Sequence, residues 1–180
     1  MRSVLFGLPL LAVLAAPAWA EEPTCHSVAG YDVLEVENTE GIGTRFAVKA
    51  GTNGSAAAGC KFKEAEADFV VGSEDDPFHF EAITDRYLIM RRSWGPQGQL
   101  VIYDLDARDI VLDALSDEAV IDATGATFWE RIDEGTPANC PQFEEYKADG
   151  FGADIAVETR FDFATATATA SNNTRCDPSQ

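Results

Sequence analysis

The chain has 180 residues, of which 31 are acidic and 13 basic, for a net charge of −18. A surface this anionic repels phosphate backbones and acidic lipid headgroups, which excludes nucleic-acid binding and favours solubility or attraction of a cationic partner. Two histidines and four cysteines leave little material for nucleophilic or metal chemistry.

The first twenty residues have the form of a secretory signal peptide. Arg2 precedes an apolar and small-residue run from Val4 to Ala16, and Ala18-Trp19-Ala20 places small residues where a signal peptidase reads. The run is short for a membrane span, and cleavage after Ala20 leaves Glu21 first, not the cysteine of a lipoprotein. Residues 21–180 are then expected to form one exported domain, periplasmic or secreted, without stable membrane insertion. Arg2 leaves with the leader, so the mature chain is one unit more negative still.

Cys25, Cys60, Cys140 and Cys176 all fall in the exported part, where thiols pair and persist. They form no Cys-x-x-Cys, so two disulfides are expected in preference to a metal or redox centre, and no cofactor is expected. Three connectivities are open. Sequential pairing, Cys25 to Cys60 and Cys140 to Cys176, would staple each end of the domain.

From Asp32 onward the chain reads as short β-forming runs divided by Gly, Asn, Asp and Pro turns, which predicts an all-β fold: an antiparallel β-sandwich or partly closed barrel. Expected strands are 32–38, 44–50, 60–63, 69–72, 78–83, 86–92, 99–104, 109–115, 119–123 and 127–132. Tyr87 to Met90 and Leu100 to Tyr103 are continuous apolar runs, the pattern of strands covered on both faces. With the return through Ile110-Val111-Leu112, this meander resembles one blade of a β-propeller, most visibly at Ile102-Tyr103-Asp104-Leu105. No second copy shows in the sequence, so the resemblance implies a meander and no shared function. Pro141 to Ala148 predicts one short helix, with Gly150 as its stop. From Ala153 apolar residues alternate through Phe163 into an Ala-Thr series ending at Ala170. That length predicts a bulge, a bend or two successive partners. Ser171 to Gln180 reads as loose, tethered by Cys176.

No segment carries a recognisable active site. Ser55 lacks the glycine spacing of a nucleophile elbow, and His79 between two phenylalanines reads as a strand histidine. The run Asp104 to Asp109 opens like a calcium loop, but Arg108 and the missing glycine favour a hairpin turn, and no metal site is expected. Arg86 to Tyr103 holds three arginines and no acid. Within it Arg91, Arg92 and Trp94 are the residue types that dominate recognition surfaces, and they form the candidate binding site. The functional expectation is a non-catalytic exported protein that binds a protein or glycan of the cell envelope. The alternatives are an envelope hydrolase using paired carboxylates or a divalent cation, and a structural or assembly component.

Overall fold

A computed structural model describes residues 24–52, 62–93, 95 and 97–180. The described residues form three four-stranded antiparallel sheets, each a meander of consecutive strands. The first contains β1 (Cys25–Val28), β2 (Gly30–Glu37), β3 (Thr44–Thr52) and β4 (Phe69–Val71). The middle sheet contains β5 (Phe78–Ile83), β6 (Tyr87–Ser93), β7 (Gly98–Asp104) and β8 (Asp109–Leu115). The third contains β9 (Ala119–Asp122), β10 (Gly125–Glu134), β11 (Gly152–Asp162) and β12 (Thr167–Ser179). The sheets stack as open layers and do not close into a barrel.

The middle sheet is covered on both sides, as its continuous apolar runs require. Side chains alternate across a strand, so neighbours on β6 and β7 enter different cores. Leu88, Met90, Val101 and Leu105 join Val33, Phe46, Val48 and Val71 of the first sheet. Tyr87, Ile89, Leu100 and Ile102 join Ala126, Phe128 and Phe161 of the third. One meander thus supplies half of each core.

Acidic residues shape the tight turns. Asp104 is buried, and its carboxylate accepts from the amides of Asp106 and Ala107 and from Nε of Arg86 at 2.9 Å. Burial pushes the Asp104 pKa up, but Arg86 and the turn amides outweigh it and hold it below the ordinary value. The run that opens like a calcium loop is therefore a hairpin turn, with Arg108 at φ 56°. Asp122 and Asp162 organise the β9–β10 and β11–β12 turns likewise, each accepting from two backbone amides and a threonine hydroxyl.

Two expectations change. The expected irregularity is there, as a register shift against β12 between Val157 and Thr159, but the Ala-Thr series does not continue β11: Asp162 caps a turn through Ala166, at φ 53°, and the series runs back beside β11. Residues 171–179 belong to β12 rather than to loose chain: Thr174–Ser179 pair with β11, Cys176 opposite Ile155, and residues 171–173 bulge opposite Glu158. The predicted strand at 60–63 falls partly outside the described residues, and Phe62 and Lys63 lead into a 3-10 turn at Glu64–Glu66.

Candidate functional site

Arg91 and Arg92 are neighbours on β6 and therefore point to opposite faces of the middle sheet. Arg91 binds Glu81 at 2.7 Å and donates to the carbonyl oxygen of Asp117. Arg92 binds Asp113 and the Gln99 side chain, and its guanidinium lies 4.9 Å from the centre of the Phe78 ring. Both side chains are about one-fifth exposed, at 21% and 19%. Trp94 lies outside the described residues. Sequence proximity brought the two arginines together, whereas strand alternation separates them.

A groove of about 460 Å³ lies against the third sheet. Asn139, Gln142, Tyr146, Ile155, Thr174 and Arg175 line it together with Pro141 and Cys176. Two local structures build it. The first is α1 (Phe143–Ala148), the α-helix among the described residues, which starts just after Pro141. It ends in a Schellman motif: Gly150, at φ 87°, donates to the Lys147 carbonyl and Phe151 donates to that of Tyr146. Glycine meets the left-handed geometry there without strain. The second is the Cys140–Cys176 disulfide, which ties the segment before α1 to β12. Tyr146 adds a hydrogen bond from its hydroxyl to the Cys176 carbonyl at 3.4 Å.

Arg175 forms the charged wall. Its guanidinium lies 4.5 Å from the centre of the Trp129 ring and binds Glu118 at 2.6 Å and Asp177 at 2.7 Å. Burial works against its charge, while Asp177 and Glu118 raise its pKa above the ordinary arginine value. The arginine is thereby held in place beside an aromatic surface. The remaining lining offers side-chain amides, hydroxyls and an apolar floor at Ile155, and no carboxylate. This chemistry suits a ligand with neutral hydrogen-bonding groups.

Sequence reading found the helix and both cysteines but did not assemble the groove. Its walls come from residues up to 37 positions apart, and Trp129 and Arg175 meet only because β10 and β12 flank β11. Cys25 is also disulfide-bonded, and its expected partner Cys60 lies outside the described residues. Among the described residues no group of three or more His, Cys, Asp or Glu side chains is placed to hold a metal ion, and no helix is long and apolar enough to cross a membrane.

These features define a layered all-β protein with a disulfide-braced polar groove. Comparison with protein-family models, curated proteins and solved structures finds no match.

Proposed function

We propose that this is a non-catalytic binding protein, exported as one domain to the periplasm or the medium, whose groove beside α1 takes a polar segment of a cell-envelope glycan. The observation that carries the reading is the groove itself: amides and hydroxyls set around Ile155, with Arg175 immobilised against Trp129. Glycans present hydroxyls and acetamido groups that such a lining can pair, and pyranose faces that aromatic rings can cover. The lining without carboxylates disfavours a paired-carboxylate hydrolase at this position. The leader-like first twenty residues and the disulfide support export to an oxidising compartment.

The test is calorimetric titration of the oxidised protein with N-acetylglucosamine oligomers and muropeptides, repeated for Gln142→Ala and Thr174→Ala. Binding is expected in the micromolar to millimolar range and should weaken in both variants while their melting temperatures stay unchanged. Failure of every fragment to bind at millimolar concentration, or binding indifferent to both substitutions, defeats the reading.

A further inference from the structure

The Cys140–Cys176 bridge ties one wall of the groove to the other. On one side stand Asn139, Pro141, Gln142 and Tyr146, before and within α1; on the other stand Ile155 of β11 and Thr174, Arg175 and Cys176 of β12. The first side is thinly fastened. Its helix has six residues, too few to persist alone in water, and none of them is buried, with Phe143 and Tyr146 only half-covered. Neither apolar core draws on any residue between Glu134 and Ala153. The Tyr146 hydroxyl donates to the Cys176 carbonyl, so the bridge and this hydrogen bond both end on the same residue of β12.

The two sulfurs of the bridge differ in access. Cys140 is 2% exposed, whereas Cys176 is partly exposed and lines the groove. Thiol–disulfide exchange starts when a thiolate reaches one sulfur and bonds to it, and the other sulfur leaves. The groove is thus the way in to the bridge, and Cys176 is the sulfur within reach.

We propose that the groove is redox-gated: a dithiol reductant opens the bridge by attack at Cys176, α1 undocks, and the groove is lost while the three sheets stay folded. The gate acts on the site assigned above and rests on that reading for the ligand it releases. In the first step a thiolate of the reductant bonds to Cys176 Sγ, the S–S bond breaks, and Cys140 leaves as a thiolate that takes up a proton. The second thiol of the reductant, deprotonated, then attacks the mixed disulfide and frees Cys176 as a thiol. The bridge gains two electrons and two protons, and the dithiol departs as its own disulfide. With the bridge open, α1 keeps one hydrogen bond and two half-covered rings as its hold on the sheet. The cores lie elsewhere and keep their contents.

Two measurements on the ligand-free protein test the gate. In the first, brief exposure to cysteamine is quenched with acid, and its adducts are located by peptide mass mapping. Cys176 should carry about ten times more adduct than Cys140. Equal labelling, or a preference for Cys140, overturns the proposal. In the second, trypsin is added to the oxidised parent and to the Cys140→Ser/Cys176→Ser variant, in which Cys25 keeps its own disulfide. Lys147 is the single Lys or Arg between Ile132 and Thr159, and a protease cuts inside a helix only once it has opened. Cleavage after Lys147 should be about tenfold faster in the variant, with its β circular dichroism and a cooperative melt retained. An unchanged rate shows that α1 stays docked without the bridge and overturns the gate. Loss of the β signal overturns it too, because the bridge then holds the whole fold rather than the groove. Failure of N-acetylglucosamine oligomers to bind the oxidised protein defeats the proposed ligand alone, since neither measurement contains one.

Discussion

Tyr87 and Phe161 meet edge to face between the middle and third sheets, with ring centroids 5.8 Å apart and planes at 88°. Phe163 stacks on Tyr87 at 5.3 Å and also meets Phe161 at 6.1 Å, closing a triangle of rings, and the Tyr87 hydroxyl donates to the Phe163 carbonyl. A β6 residue thereby locks onto the end of β11, more than seventy positions later.

Tyr87→Ala should destabilise the fold by about 3–5 kcal/mol, because it empties a fully packed aromatic site. Tyr87→Phe keeps the ring and removes one hydrogen bond, for about 1 kcal/mol. Urea denaturation followed by fluorescence measures both. Equal effects for the two variants would show that the ring packing contributes little.

Acid should unfold the protein through its turn carboxylates. Arg160 and the Thr124 hydroxyl and amide hold Asp122 well below the usual carboxylate range, and the amide and hydroxyl of Thr165 lower Asp162. The amides of Thr39 and Glu40, with Arg45, lower Glu74. A carboxylate with a depressed folded pKa stabilises above its unfolded value, about 4, and that contribution disappears as pH falls through the folded value. Urea midpoints should therefore hold steady from pH 7 to about 5 and decline below about 4. Asp122→Asn keeps an acceptor for the turn amides but loses the charge facing Arg160. It should flatten part of this decline; an unchanged pH profile would remove Asp122 from the account.

An alkaline limb is expected as well. The Tyr31 hydroxyl donates to Asp106 at 2.6 Å, and this bond pushes its pKa up to about 12. Burial raises those of Tyr87 and Tyr103. The unfolded phenols ionise near pH 10, so stability is intact below that pH and is lost as pH rises toward the folded values. Tyr31→Phe should reduce this loss in a denaturation series above pH 9.

Arg131 is one-tenth exposed and joins three elements: it donates to the Gly98 carbonyl at 2.8 Å, pairs with Asp117 and lies 3.9 Å from Asp154. Arg131→Ala should lower stability by about 1–3 kcal/mol, with the carboxylate contribution discounted because Asp117 is half-exposed. Arg131→Lys should restore little, since one ammonium cannot reproduce the fork. Full recovery by lysine would make the interaction one of charge alone.

Breaking the Cys140–Cys176 bridge releases a loop with a sequence separation of 36. The double Cys→Ser variant should lose about 3–4 kcal/mol by the loop-entropy argument. Amide exchange should accelerate most in α1 and the last residues of β12, which the bridge connects. Acceleration spread evenly over all three sheets would show that the bridge stabilises the whole fold instead.

The all-β class and the double covering of the middle sheet were legible because both follow from local pattern. Tyr87-Leu88-Ile89-Met90 is apolar at every position, and a strand has only two faces to hide. The continuation of β11 into the Ala-Thr series was misread for an equally local reason. The turn after β11, Phe163-Ala164-Thr165-Ala166, contains no Gly, Pro or Asn, and its conformation comes from the Asp162 side chain. An aspartate followed three residues later by threonine was the available signal. Arg91 and Arg92 were grouped by adjacency although strand geometry opposes it, since their partners Glu81 and Asp113 become visible only with the register. The propeller-like meander had no second copy in sequence, yet the topology repeats three times. Pairing consecutive strands depends on backbone hydrogen bonds and alternation, which unrelated side chains satisfy equally well.

Because each sheet uses only neighbouring strands, the layers can assemble in the order in which the polypeptide is made. The middle meander stays half-bare until the last third arrives, and Cys176 lies on β12, the last strand of that third. Closure of its bridge thus requires β12 to be seated beside β11, and the oxidised pair reports that the third layer has formed.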